Sequence, residues 1–564
     1  MIEYTLIKDP TYGYVSIPKK YIKEIIDSET FQRLRDIRQT SYSSVYPNSS
    51  HNRFIHSIGV FHLGSMTFNY FSKNCRKILL ENNFKVDEYK STLEVACLLH
   101  DVGHSPFSHT GEDLFLEYLD NKEEHEIYSK LREKFNSEKF LTDFENSIID
   151  DKVAEAHEIM SVIISIEAFN DFLIKEEVDI ELFARMVLGL ELTSNDFESN
   201  VKNCLIQFVN SNVIDVDRLD YLVRDMNMTG IGSTQIDLHR LLSNICLVEK
   251  TDFNSKQYLL GYNKSALSVI QNVILAHDSE RKWIQNHPVI KYDSHLTLEC
   301  MKIVNEIYTG EPYTTESEKI FRVNSLTTEG HILKNGKIIK CLSDSDFIHN
   351  IKQYDGDNEY YKEIKSEFFS RQERKKPIWK SESEFNILLK CFTECEQKVF
   401  LDIFKQHSKN IHIGDVLNQK NLDDINCKIA EYFECQNKNE DIEKSLLINR
   451  KWRFWLKSLK KFALENNVEF NFFKYDFSRF ESGIYKLHTD DILIDFDNIN
   501  RYYPINKITT LYSSESKQIQ NSNLFYLYVR KNSYKSNTDG LQKAFYEFAK
   551  KTVRKFMDKF EIFN

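Results

Sequence analysis

The segment His100-Asp101-Val102-Gly103-His104-Ser105-Pro106-Phe107-Ser108-His109 puts three imidazoles and a carboxylate within ten positions, in a chain with 17 His in total. Imidazole and carboxylate together suit Mn, Fe, Zn or Mg-class ions. Three other pieces carry matching chemistry. Arg53–Val60 (RFIHSIGV) contains His56, His157 is followed by Glu158, and Ile214–Tyr221 (IDVDRLDY) contains Asp217. An isolated His-Asp dipeptide says little, and a lone buried His is more often a hydrogen-bonded core residue than a ligand. As a set, His56, His100, Asp101 and Asp217 read differently. Two imidazoles and two carboxylates leave part of an octahedral shell open for water and phosphate oxygens, as metal-assisted phosphoryl chemistry requires.

Such residues must be delivered by rigid elements. Leu93–Leu99 is an apolar helical run ending at His100, and Gly103 permits a sharp exit. Val60–Asn74, Ala154–Phe172, Val201–Val209 and Leu219–Asp225 also carry helical periodicity. Tyr4–Pro18 alternates around Asp9-Pro10 and reads as a short hairpin. The chain to about Thr309 therefore reads as an all-α body. Asn335-Gly336 between alternating apolar residues marks a second hairpin within Phe321–Cys341. Asp344–Lys376 reads as helical, and Phe385–Phe404 as one apolar-periodic helix. Ile492–Phe496 and Leu524–Val529 read as strands, and Gly540–Phe560 as an amphipathic closing helix. The expected architecture is mainly α: a helical core with an N-terminal β-hairpin over 1–310, a mostly helical region with a hairpin over 311–450, and a smaller α/β unit over 451–564.

The stretches DPTYGYVSIP, FQRLRDIRQ, SHNRFIHSIGV, LLHDVGHSPFSHTGE and IDVDRLDYLVRD resemble the HD-domain phosphohydrolases. They are most similar to the deoxynucleoside triphosphate triphosphohydrolases, including bacterial members and the vertebrate SAM-and-HD-domain enzyme. The resemblance runs from Ile7 to Asp225, and more weakly to Cys300. It implies an HD-domain helical core, and His56, His100, Asp101 and Asp217 as ligands of a divalent metal (Mn, Mg, Fe or Zn). His109, Glu112 and His157 match positions around the scissile phosphate, and His104 is a further catalytic candidate beside them. Arg53 and Arg218 match phosphate-facing positions, Tyr221 and Asp225 line the sugar pocket, and Gln39 contacts the sugar. The implied reaction is attack at the α-phosphorus of a (deoxy)nucleoside triphosphate, releasing nucleoside and inorganic triphosphate. A His oriented by a carboxylate can protonate the leaving oxygen: His157 with Glu112, or His109 in its place. An activating nucleotide and a homo-oligomer are also implied.

The chain departs from the family between Gln39 and Pro47. It reads QTSYSSVYP, with Thr40 where relatives carry a leucine, and without their glycine-rich turn. A dNTP, an NTP or another phosphoester therefore stays open as substrate. Arg281, in ERKWIQNHP, is a further candidate phosphate contact, weighed against a solvated charged helix face.

The bulk numbers set bounds. Length 564 suggests two or three units, and 16 Gly with 8 Pro favour long helices over a turn-rich sandwich. A net charge of −11 suits extended nucleic acid poorly. Ten singly placed Cys give neither a CxxC pair nor a disulfide framework. With no apolar run long enough for a membrane span, a cytoplasmic protein is expected. The basic run Phe369–Ser381 and the aromatic residues Trp452 and Trp455 could bind a partner or stack bases, but a solvated charge run and core packing are the plainer readings. The rival functions are an HD phosphodiesterase or nuclease on nucleic acid or signalling nucleotides, and a nucleotide-responsive regulatory protein.

Overall fold

The computed structural model describes residues 3–40, 44–116, 125–150, 154–231, 235–252, 255–314, 317–408, 454–455, 457–471, 489–496, 501–509, 526–531 and 538–560. Two compact units emerge. One comprises Met1–Ile284, Leu296–Lys362 and Ser482–Lys517; the other comprises Gln285–His295, Glu363–Glu481 and Gln518–Asn564.

The first unit opens with an antiparallel hairpin, β1 (Tyr4–Asp9) and β2 (Gly13–Pro18). Its turn is made by Asp9, whose Oδ1 accepts from Thr11 N (2.6 Å) and Tyr12 N (2.9 Å), while Gly13 takes a left-handed φ of 82°. Helix α1 (Arg53–Asn74) starts where the Asn52 side chain accepts from Ile55 N. Around it pack α2 (Lys90–Leu99) and α5 (Val216–Thr229); α3 (His109–Phe115) and α4 (Ala156–Lys175) complete the part of the fold that matters to the site.

Small residues permit close approach. A Cβ on Gly59 of α1 would sit 2.0 Å from Asp220 Oδ1, and one on Gly64 would sit 2.3 Å from Cys97 Sγ. Gly103 lies against the backbone of α4, where an added Cβ would meet Ser161 N at 2.2 Å, and its own N–H donates to Ser161 Oγ at 2.8 Å. The loop between α2 and α3 is pinned from behind. The buried Arg33 guanidinium donates to the carbonyls of Val102, His104 and Leu342. Asp344 accepts from Phe107 N and Arg38 N. These contacts hold Phe107 and Ser108 at φ values of 60° and 54°, the left-handed region that non-glycine residues rarely occupy.

Two expectations are corrected. The body to Thr309 is not all-α, because Ile245–Asp252 and Ser255–Asn263 form a long antiparallel hairpin. The second of these strands pairs in parallel with Leu493–Phe496, a partner so distant in the chain that local periodicity could not announce it. Phe385–Phe404 is also two helices, Glu382–Lys390 and Glu394–Ser408. The break falls at Thr393, whose N–H donates to Glu396 Oε2 while its hydroxyl accepts from Glu396 N. This reciprocal cap starts a new helix inside the apolar run. The hairpin at Asn335-Gly336 is present as His331–Ile332 and Ile338–Ile339.

In the second unit Lys376–Pro377, Tyr528–Lys531 and Val468–Asn471 form a three-stranded sheet. Trp379, Trp455, Phe400 and Phe545 are fully buried in its core, beside the helix Thr538–Lys559. Lys375, from the basic run, is buried against Glu363 (2.8 Å) and Glu367 (2.5 Å), so it serves the interior of that unit. Trp452 lies outside the described residues. No helix among the described residues is long and apolar enough to cross a membrane.

The crowding at Gly103 makes a prediction. Gly103→Ala forces the loop away from α4 and should destabilise the protein by about 1–3 kcal/mol, as overpacking does. Calorimetric melting against wild type reads this, and an unchanged melting temperature would show that α4 can give way.

Candidate active site

Each of the four residues with metal-ligand chemistry is carried by an element end or a helix face. His56 is one turn inside α1, His100 caps α2 with Asp101 following it, and Asp217 lies in the first turn of α5. Asp215 caps that helix by accepting from Arg218 N at 2.6 Å. The four side chains meet. His56 Nε2 is 3.3 Å from His100 Nε2, 2.9 Å from Asp217 Oδ1 and 3.5 Å from Asp101 Oδ2. His100 Nε2 is 3.4 Å from Asp101 Oδ1 and 3.8 Å from Asp217 Oδ1. Ligands about 2.1 Å from one ion and at right angles to each other stand about 3 Å apart, so the donor set suits a divalent cation.

The outer nitrogens of both rings are committed. His56 Nδ1–H donates to Asp220 Oδ2 (2.7 Å) and His100 Nδ1–H to the Cys97 carbonyl (2.9 Å). With Nδ1–H committed outward, it is the Nε2 of each ring that would turn a lone pair to a bound cation. Burial alone would lower the His56 pKa, but the hydrogen bonds of Asp217 and Asp220 reverse this and raise it to about 9. The pocket thus demands positive charge at this point. Burial would also raise Asp101; the Arg53 guanidinium with His100 and His104 prevails and holds its carboxyl well below the usual range. Asp217, with 37% of its side chain exposed, marks the open side of the cluster.

A second cluster adjoins the first. Glu112 Oε1 is approached by three ring nitrogens: His109 Nδ1 at 3.0 Å, His104 Nδ1 at 3.1 Å and His157 Nδ1 at 3.2 Å. The rings of His104 and His157 stack at 4.0 Å, and His104 Nε2 lies 3.3 Å from Asp101 Oδ1. The three imidazoles differ sharply in environment. His104 is fully buried; desolvation, with repulsion from Arg53 and His157, pushes its pKa down to about 4. His157 is also desolvated, but the Glu112 carboxylate overcomes this and raises it to about 10. Against its own burial, Glu112 is held well below the usual carboxylate range by His157 and His109. The result is a neutral His104 and a protonated His157 over an ionised Glu112. His109, with 55% of its side chain exposed, is the open member.

The residues with phosphate and sugar chemistry are placed unevenly. Arg53 is buried; its Nη1 donates to Asp101 Oδ2 (2.8 Å) and its Nε to Ser108 Oγ (2.9 Å), so it stands at the His56–His100–Asp101–Asp217 cluster. Gln39 is buried behind Arg53, its carbonyl 3.5 Å from Arg53 Nη2. Arg218 turns back onto its own helix start and donates to the carbonyls of Ser211 and Val213. Tyr221 and Asp225 lie further along α5, half-buried and buried respectively. Arg281 is buried just beyond the helix Leu267–Glu280. Several participants were missed from sequence. Asp220, three residues after Asp217 and so near it on one helix face, orients His56; that spacing was a usable signal. Arg224 donates to both oxygens of Asp220 and to Asp9 Oδ2. Ser108 holds Arg53, and His51 stands 2.6 Å from Asp225.

Residues 53–182 match the family model of the HD domain. Those residues form an HD domain, and His56 lies in the first turn of the matched segment. Among curated proteins it is 26% identical over 358 residues to one named deoxynucleoside triphosphate triphosphohydrolase SAMHD1 homolog in Dictyostelium discoideum, covering 60% of this chain and 58% of that one. It is also 26% identical over 279 residues to an uncharacterized protein of Mycoplasma genitalium, covering 49% and 54%. The alignment thus spans little more than half the length of these relatives. A crystal structure of a hypothetical protein from Aquifex aeolicus shares the fold, with a TM-score of 0.52 at 17% identity over 98% of this chain and 100% of that one.

Asp220 gives a test that leaves the cluster's own ligands in place. Asp220→Asn loosens the His56 ring and should weaken metal affinity by about 10–100-fold. Competition against a chelator with Mn²⁺ measures it, and wild-type affinity in the folded variant would remove Asp220 from this role.

Proposed function

We propose that the protein is a metal-dependent hydrolase that cleaves a (deoxy)nucleoside triphosphate at its α-phosphorus. The products are nucleoside and inorganic triphosphate. The observation that carries this reading is the contact between the two clusters. The His56–His100–Asp101–Asp217 set lies one side chain, His104, away from a protonated His157 on an ionised Glu112. The relative named a deoxynucleoside triphosphate triphosphohydrolase supports the substrate class.

When bound, a divalent cation polarises a phosphoryl oxygen and lowers the pKa of water. His56, His100, Asp101 and Asp217 are the residues that would hold it. Arg53 offers its guanidinium to phosphate oxygens beside Asp101. Water adds to the α-phosphorus, the bond from that phosphorus to the nucleoside oxygen breaks, and the oxygen leaves with a proton; the proton that the water gives up on adding restores the donor. His157 supplies that proton, and Glu112 keeps the imidazolium charged until transfer. His104 is neutral and enclosed, so it positions Asp101 and Glu112 relative to each other. The full chain should act as a homo-oligomer, with nucleotide as substrate and as candidate activator.

Purified protein with Mn²⁺ should release inorganic triphosphate from at least one member of a dNTP and NTP panel. Release of pyrophosphate or phosphate alone would instead favour a phosphodiesterase-type reaction. His100→Ala and Asp101→Ala should each lose bound metal and turnover together.

A second test separates the proton donor. The His157 proton is present below its raised pKa and lost as pH rises through it. Glu112→Gln removes the largest contribution raising that pKa, so the basic limb of the pH–kcat profile should move to lower pH. An unshifted limb, with activity still measurable, would pass the role to His109.

A further inference from the structure

In a chain whose net charge is −11, the second unit carries a basic seam. Residues 454–455 and 457–466 are helical and lie along the closing helix Thr538–Lys559. Ring contacts fix the pair as antiparallel: Phe454 meets Phe556 and Phe560, Trp455 meets Phe548, and Phe462 meets Phe545 and Phe548. Phe545, Ala549, Val553 and Phe556 are buried. The exposed Lys551, Lys555 and Lys559 therefore share a flank of the closing helix at i, i+4 and i+8. Phe454, Lys457 and Lys461 share a flank of the other helix at i, i+3 and i+7, with both lysines exposed. The flanks adjoin, since Lys559 Nζ lies 5.1 Å from the centre of the Phe454 ring.

Little neutralises this seam. Lys461 has Glu465 at 3.7 Å, while Lys457, Lys551, Lys555 and Lys559 have no carboxylate partner among the described residues. Arg554 of the same closing helix shows the contrast, because its Nε is tied to Glu396 at 2.7 Å. Like charges one turn apart repel and weaken a helix, so these lysines on two adjoining flanks favour an anionic partner. Its chemistry can be narrowed. The cations in each row stand about 6 Å apart, one helical turn, which suits a charge repeated along a strand better than a single small anion. Phe454, half-buried, holds an aromatic ring among them. Lysines interleaved with an aromatic face match phosphates interleaved with bases. An acidic peptide would answer the charge and leave the ring unused, and an anionic bilayer would call for apolar side chains projecting past the lysines. The net charge of the whole chain tells against nucleic acid only where that charge is evenly spread.

We propose that this seam binds single-stranded nucleic acid, with Lys457, Lys461, Lys551, Lys555 and Lys559 on the phosphates and Phe454 stacked on a base. The seam lies within the second unit and uses no residue of the HD domain. It therefore stands or falls apart from the hydrolase reading.

The test is fluorescence anisotropy of an end-labelled oligo(dT) of about 20 nucleotides with the full chain. Affinity should fall steeply between about 50 and 200 mM salt, with a log–log slope of about −3.5 for the five lysines. The double variant Lys551→Ala, Lys555→Ala should bring that slope to about −2. Phe454→Leu, which keeps apolar bulk between the helices, should weaken binding severalfold and leave the slope as in wild type. A metal chelator should change nothing, because a cation in the HD domain has no part in the contact. Absent or salt-insensitive binding overturns the proposal, as does an unchanged slope in a lysine variant that melts like wild type. Wild-type affinity in Phe454→Leu overturns the stacking role. Binding lost with chelator would move the contact to the HD domain, and tighter binding of polyglutamate or of phosphatidylserine vesicles would make the partner an acidic protein or a membrane; each of these overturns the nucleic-acid assignment.

Discussion

The structure around the site depends on a chain of buried charge running from the first hairpin to His56. Asp9 makes the hairpin turn with one carboxylate oxygen and accepts from Arg224 Nη1 with the other at 3.1 Å. Arg224 grips both oxygens of Asp220 at 2.9 Å, and Asp220 accepts from His56 Nδ1. Asp9, Asp220, Arg224 and His56 are at most 1% exposed. A buried ion pair is expensive unless its remaining hydrogen-bonding capacity is filled. Here nearly every polar atom has a partner, and the geometry that results is what aims His56 Nε2 at His100. Gly59 belongs to the same constraint, because any side chain there would displace Asp220.

Charge balance makes the end of this buried charge network suited to a cation. Asp9 and Asp220 bring two negative charges and Arg224 one positive; Asp101 is answered by Arg53, and Asp217 adds another negative charge. The remainder is negative, and His56 holds a proton to about pH 9 to meet it. A divalent cation meets the same demand while freeing the Nε2 lone pair. The neighbouring cluster is balanced on its own terms: one ionised Glu112, one protonated His157 and one neutral His104. Two polar clusters with separate charge accounts, joined by a ring that carries none, keep metal binding and proton supply from competing for one carboxylate.

Much of this was legible in the sequence, for identifiable reasons. Metal ligation restricts residue types, and a helix delivers them at fixed spacing, so His56, His100, Asp101 and Asp217 stand out. The helical core was legible because α1, α2 and α4 bury apolar faces with local periodicity. Non-local partnerships were not. The strand Ser255–Asn263 finds its parallel partner at Leu493–Phe496, and Lys375 finds Glu363 and Glu367, through folding that no window of sequence displays. Supporting residues were also hidden, because Asp220, Ser108 and His51 carry common types and act through a neighbour. Nor does residue type display that the Arg218 side chain turns to carbonyls at its own helix start.

Strain fits into the same scheme. Phe107 and Ser108 occupy left-handed backbone within four residues of His104, an arrangement that costs energy and persists only when its surroundings enforce it. Arg33 and Asp344 provide that enforcement through backbone groups alone, donating to the carbonyls of Val102 and His104 and accepting from the N–H of Phe107. The gain appears at Ser108, whose hydroxyl donates to the Arg38 carbonyl at 2.6 Å and accepts from Arg53 Nε at 2.9 Å. A relaxed loop would let the hydroxyl turn away and leave the guanidinium with fewer anchors. The strained turn, the buried arginine behind it and the aspartate at residue 344 therefore act as one device, which fixes the direction of Arg53 before any substrate arrives.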